Sequence, residues 1–334
     1  MNFNSYKEKY LSVVAKYCVM EYIKDDEGKH YEIVPWHSKQ KHEFLRRYLS
    51  IWTEMVGNHS KSVPTLDIID LYASWGQCSC KENGEKWPGT AKLAAECLTK
   101  YERPRLLFLN TYNPNPDHLK LQEENLVDVL QDYTIEKKIT TLPIEDAVDV
   151  ALEEANLNFP TLWLLDPYGP KQLPWEVVEK ICSAKRTFKN KSGKPCDRKP
   201  EVLINLMTSS LQREIHNKNL ICNSLGITEA EWKDLELRAK KSGNAREVLV
   251  DAYIERLSQF YEKAPIKFLV TGNHKNVVYT LLLFTDSNAG HYVTKKYKLP
   301  DFYKWLEVEW SKSAKEIVAK KKLHHTQSSF DTFL

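Results

Sequence analysis

Two short stretches of this chain place carboxylates and small residues where an α/β sheet does its chemistry. The first is Ile68–Gln77, IIDLYASWGQ. It reads as a strand that stops at Asp70 and enters a turn containing Ser74 and Gly76, ahead of a helix. Such a turn leaves backbone N–H groups free at the carboxyl edge of the sheet, where nucleotides bind. A plain strand-to-helix turn would have the same composition. The second is Leu164–Trp175, LLDPYGPKQLPW. Its strand ends at Asp166, and Pro167 stiffens the turn that presents Tyr168. An acid at that edge is placed to act on a ligand, although a structural turn closed by Asp166 is the simpler alternative. A third stretch ends the sequence. Gln327, Phe330, Phe333 and Leu334 lie in a polar, lysine-led tail. Phe330 and Phe333 fall on one face of a single helical turn, which suits an apolar cleft on a partner.

These groups need a scaffold, and the hydrophobic pattern supplies one. The stretches 65–71, 105–110, 138–142, 161–166 and 201–206 are short apolar runs, and helical patterns alternate with them. Continuous apolar strands separated by helices predict a parallel sheet covered on both faces. Residues 266–271 and 277–285 flank Gly272, Asn273 and His274 and predict a closing hairpin. The expected fold class is α/β: a Rossmann-like methyltransferase fold, mostly parallel, closed by an antiparallel hairpin. The expected units are an N-terminal helical segment over 1–60, a core over 61–208, a helical insertion or lid over 209–263, the closing hairpin and helix over 264–310, and a basic tail over 311–334. Asp25, Asp26, Glu27 and Gly28 read as a turn between two N-terminal helices.

Composition narrows the class. Apolar residues make up 42% and charged residues 28% of the 334, a globular balance. No apolar run is long enough to cross a bilayer, and the first residues lack a signal-peptide layout, so no membrane and a cytoplasmic location are expected. The seven cysteines are scattered and odd in number, which fits free thiols. Cys78 and Cys80 form a CxC, but no second soft pair stands at zinc spacing, so no metal is expected. Net charge is only +3, yet residues 185–199 and 312–322 are basic. Lys185, Arg186, Lys189 and Lys191 are candidate phosphate contacts, or simply solvated surface. Trp75 and Trp87 fall in the loop over the pocket, where a loop-packing role is the simpler reading and stacking on a base the alternative.

Two resemblances sharpen the reading. Asp166-Pro167-Tyr168 resembles the (D/N/S)PP(Y/F) motif of methyltransferases that act on the amines of bases, although the second residue of the doublet differs and Tyr168 and Gly169 follow a single proline. That resemblance implies that Asp166 accepts hydrogen bonds from an exocyclic amine and that Tyr168 stacks on a flipped base. Most of the chain also resembles the three-Cys-motif partner (TcmP) family, methyltransferase-like proteins encoded beside a radical-SAM-like protein. The matching pieces are His37-Ser38 with Lys41, Leu45 and Tyr48; Ile69-Asp70-Leu71-Tyr72-Ala73 with Gly76; Gly89-Thr90-Ala91; Asp166-Pro167-Tyr168-Gly169 with Pro174-Trp175; Tyr253 with Leu257; and Val278-Tyr279 with Leu283-Phe284. The resemblance implies S-adenosylmethionine as cofactor, contacted by Asp70, Ser74, Gly76, Asn110 and Asp146. Two departures bear on it. The family's AGPG is Ala73-Ser74-Trp75-Gly76, and the acid that holds a ribose is Asn110.

The tail resembles the PIP box that docks on the PCNA sliding clamp, in its archaeal terminal form. The combined expectation is a methyltransferase-like protein working on DNA or another nucleic acid, in modification or repair, at the clamp and beside a radical-SAM-like three-Cys-motif partner. The alternative is a non-catalytic adaptor with a degenerate cofactor site. A metal-dependent nuclease using Asp70, Asp146 and Asp166 is the third reading. For the tail, deleting Gln327–Leu334 is expected to abolish binding to the cognate clamp, measured by calorimetry, with the thermal melt unchanged. Undiminished clamp binding would overturn the motif.

Overall fold

The computed structural model describes residues 21–58, 65–101, 105–189, 195–272 and 276–287. The clamp motif, Lys191, and most of the first and last segments lie outside these residues.

A seven-stranded sheet organises the fold. Its strands are β3 (Leu66–Asp70), β6 (Arg105–Asn110), β7 (Glu136–Thr140), β8 (Thr161–Leu165), β11 (Glu201–Leu206), β12 (Ile266–Thr271) and β13 (Val277–Phe284), in the order β12-β13-β11-β8-β3-β6-β7. Strands β7, β6, β3, β8 and β11 are parallel neighbours, and β13 runs antiparallel to both β11 and β12. This mixed α/β architecture is compatible with a Rossmann-like fold. The strands β3 and β8 are buried throughout because helices cover both faces.

The period of two along each strand sorts the core into two layers. Ile68, Leu107, Leu162 and Leu203 face α1 (His37–Asn58), α2 (Thr90–Leu98) and α3 (Pro116–Leu130). Ile69, Phe108, Trp163 and Ile204 face α4 (Ile144–Glu154) and α5 (Trp175–Ser183). The second layer also takes in α6 (Thr208–Arg213), α7 (Lys218–Leu225), α8 (Glu229–Ser242) and α9 (Ala245–Leu257). The expected insertion over 209–263 is therefore helical, but it is not a lid. Leu211, Ile221, Leu225, Leu249, Tyr253 and Leu257 are core residues of the sheet's own face. On the opposite layer, buried Glu201 accepts hydrogen bonds from Trp52 Nε1 at 2.9 Å and Tyr48 Oη at 3.1 Å. That carboxylate fastens the long helix α1 to the start of β11.

Three expectations are corrected. The N-terminal segment is not wholly helical. Strands β1 (Tyr22–Lys24) and β2 (His30–Val34) form a hairpin, and the turn at Asp25–Gly28 joins two strands rather than two helices. The turn after Asp70 does not run straight into a helix. It leads into a hairpin of β4 (Gln77–Cys80) and β5 (Lys86–Pro88), and β4 pairs in parallel with β2. The result is a second sheet, β1-β2-β4-β5. Cys78 and Cys80 are buried there with Val34, Trp36 and Trp87, so the CxC belongs to the small sheet's core. Finally, the basic stretch is a ribbon of β9 (Arg186–Lys189) against β10 (Pro195–Arg198).

Candidate active site

The second sheet stands over the carboxyl edge of the first, and a cleft of about 450 Å³ lies between them. Strand order reverses beside β3, between β6 on one side and β8 on the other. The cleft opens at the carboxyl ends of β3, β8 and β11, the position where open α/β sheets bind ligands. Its volume falls in the range of small-molecule sites.

Asp166, just past β8, forms an ion pair with Lys41 of α1, and both side chains are largely buried. Asn205 Nδ2 donates to the other carboxylate oxygen of Asp166 at 2.7 Å. Lys41 Nζ also lies 6.0 Å from the ring centre of Tyr279 on β13. Burial opposes charge on Lys41, but Asp166, Tyr279 and Glu32 more than offset this, and the ammonium's pKa stands above its ordinary value. Helical spacing explains the placement: His37, Ser38, Lys41 and His42 all line the cleft from one face of α1.

Tyr168 forms the adjoining wall. Its hydroxyl donates to Ser74 Oγ, and Ser74 Oγ donates to Glu32 Oε2 at 2.6 Å. Glu32 belongs to β2 and is almost fully buried. Burial raises its pKa, while the Ser74 hydrogen bond, Lys41 and Tyr168 pull the other way. His42, which lines the cleft, accepts at Nδ1 from Trp87 Nε1 at 2.7 Å. Burial holds the His42 pKa well below its ordinary value, so the ring is neutral. Burial likewise raises the Cys78 thiol, so this cysteine is not a thiolate nucleophile. His37 is pushed down to about 4 by burial and by Lys41.

The loop after β3 closes tightly. Gly76 has φ +70°, and Gly89 N donates to Gly76 O at 2.9 Å. A Cβ on Gly89 would stand 2.9 Å from the Gly76 carbonyl carbon. The β4-β5 hairpin is thus looped out, and the start of α2 at Thr90 returns to the cleft with no side-chain cap. Asp70 sits behind this wall. One oxygen accepts from Tyr72 N at 3.0 Å, and the other, Oδ2, is buried without a hydrogen-bond partner among the described residues.

The cleft therefore gathers four expected residues: Asp166, Tyr168, Ser74 and Gly76. Comparison with known proteins finds no matching family model and no matching curated protein. The assignment of the remaining residues rests on geometry. Asn110 does not reach the cleft. Its Nδ2 donates to Leu142 O at 3.1 Å, and its Oδ1 accepts from Thr140 Oγ1 at 2.9 Å and Leu142 N at 3.1 Å. The amide is occupied in joining the ends of β6 and β7, which corrects its expected role on a ribose. Asp146 is exposed in the first turn of α4 and does not line the cleft. Trp75 and Trp87 are buried, as packing residues should be, and Trp75 stacks on Tyr22 at 4.6 Å. In the ribbon, Lys185 pairs with Asp197, Arg186 Nε donates to Asn158, and Lys189 ends β9. These cations lie outside the cleft lining. Lys41, Glu32, Asn205 and Tyr279 were missed as site residues. Lys41 and Tyr279 stand in pieces singled out by the family resemblance, whereas nothing local marks Glu32 or Asn205.

Among the described residues, no group of three or more His, Cys, Asp or Glu side chains comes together to hold a metal. Asp70, Asp146 and Asp166 do not form one, and the nuclease reading loses its metal cluster. Also among the described residues, no helix is long and apolar enough to cross a membrane.

Asp70 yields a test. Burial pushes its carboxyl up to about 7, against the Tyr72 hydrogen bond, with Asp166 adding and Lys41 opposing. The folded protein then keeps this proton to about pH 7, while the unfolded chain loses it near 3.8. Stability falls as pH rises through that window, by about 4 kcal/mol from this group. Asp70→Asn is expected to flatten the urea-unfolding stability profile between those limits and to be the more stable protein above them. Parallel profiles would contradict the assignment.

Proposed function

We propose that the cleft transfers a methyl group from S-adenosylmethionine to an exocyclic amine of a nucleic-acid base. The observation that carries this reading is the Asp166–Tyr168 pair at the carboxyl end of β8, aimed into a cleft beside the point where strand order reverses. The antiparallel β13 between β11 and β12 supports it, because methyltransferase-like Rossmann sheets end in such a hairpin. Asp166 would accept a hydrogen bond from the amine on the lone pairs that Lys41 and Asn205 leave open. Tyr168 is 40% exposed, and its ring would stack on the base.

The methyl donor, when bound, supplies an electrophilic carbon. The residues fit one end of it. Gly76 and Gly89 bring backbone close to the uncapped start of α2, which would receive the donor's carboxylate. Orientation of amine against the methyl carbon would provide most of the acceleration. The ribbon's Lys185, Arg186 and Lys189 would contact phosphates, exchanging exposed ion pairs that are individually weak. The tail would bring the protein to PCNA, and a radical-SAM-like three-Cys-motif protein would be its partner.

One observation favours the adaptor reading. Asn110, at the end of β6 where the resemblance expects an acid for a ribose, has its amide committed to Leu142 and Thr140 instead. Calorimetry separates the two. Methyl transfer predicts micromolar S-adenosylmethionine binding by the wild-type chain, with methylation of single-stranded DNA falling about 100-fold in Asp166→Asn. No heat at millimolar ligand would leave the adaptor.

A further inference from the structure

Tyr168 is more than a stacking surface. Its hydroxyl begins a line of hydrogen bonds, Tyr168 to Ser74 to Glu32, in which each group donates to the next. Three separate elements contribute: the loop after β8, the loop after β3, and strand β2. The line runs from the cleft wall to a carboxylate that is almost fully buried.

Ser74 has φ +51°, the only non-glycine residue in the left-handed region among the described residues. A glycine would adopt that backbone without strain. Strain kept at one residue of a binding loop marks a side chain that is needed there. What this side chain does is bridge Tyr168 and Glu32.

Asp166, by contrast, is poorly placed to take up a proton. It already receives the Lys41 ammonium and the Asn205 amide, and protonation would break the ion pair. Yet methylation of an amine must release a proton. As the N–C bond forms and the donor's S–C bond breaks, the nitrogen carries one proton too many.

We propose that Tyr168, Ser74 and Glu32 form a proton wire that removes this proton, leaving Asp166 to orient the amine. The proton passes from nitrogen to Tyr168 Oη. The phenol's own proton moves to Ser74 Oγ, and the serine's to Glu32 Oε2. Glu32 ends neutral, the form that burial favours. Once product leaves, the reverse transfers return the proton to water in the open cleft. Around Glu32 stand Lys41 from α1, Asp166 and Tyr168 after β8, Ser74 after β3 and Cys78 on β4. The wire rests on the methyl-transfer reading.

The test uses the full chain, S-adenosylmethionine labelled in its methyl group and mixed-sequence single-stranded DNA as probe. Glu32→Gln, Ser74→Gly and Tyr168→Phe are each expected to lower kcat by about 100-fold with little change in KM. Combining Glu32→Gln with Ser74→Gly adds no further loss, since a wire cut twice is still cut. The acidic limb of the kcat profile, where Glu32 must be ionised, disappears in Glu32→Gln. Thermal melts establish that each variant is folded, and Tyr168→Phe removes only one oxygen from a partly exposed ring. A folded variant with full kcat and an intact acidic limb overturns the wire, as do losses that multiply. A wild-type protein that transfers no methyl group overturns the methyl-transfer reading and the wire together, whereas wild-type turnover retained in Glu32→Gln overturns the wire alone.

Discussion

The ion pair between Lys41 and Asp166 is the constraint on which the rest of the site depends. Two charges removed from water cost several kcal/mol each unless their geometry is satisfied. Here Asn205 completes the carboxylate and the Tyr279 ring faces the ammonium. Four elements must therefore arrive together: α1, the end of β8, β11 and β13. Asp166 is held from α1, and α1 is in turn fastened at its far end by Glu201. The sheet's chemistry is thus coupled to a segment that precedes it in the chain.

The small sheet follows from the same arrangement. Strand β2 leads into α1, and β4 pairs with β2. The looped-out hairpin after Gly76 gives the cleft a second wall without moving the start of α2, because Gly76 and Gly89 abut. That wall carries Glu32, His42's neighbour Cys78, and Trp87.

Much of this was legible in the sequence. Strands β3, β6, β8 and β11 are apolar runs with both faces buried, and their pattern has no competing reading. Strand β7 begins two residues early because Glu136 and Lys137 are polar on an edge strand. The strands QCSC and KWP were invisible because neither is long or apolar enough to show a period. QCSC is held by pairing with β2 and KWP by pairing with QCSC, contacts that no local pattern records. The same logic divides the site. Asp166, Tyr168, Ser74 and Gly76 sit at strand ends, where position alone suggests chemistry. Lys41 looks like any helix-surface lysine until α1 is laid against the cleft. Asn110 also occupies a strand end, but its side chain turns inward to tie β6 to β7, and orientation is not written in spacing.

The most direct measurement is a double-mutant cycle on Lys41 and Asp166, read by urea unfolding of the full chain. Each of Lys41→Met and Asp166→Asn leaves a buried charge alone and is predicted to cost about 3 kcal/mol or more. The double variant is predicted to lose much less than the sum, with a coupling of about 2 kcal/mol. Additive losses, with coupling near zero, would mean that the pair does not hold the cleft together and would contradict the account.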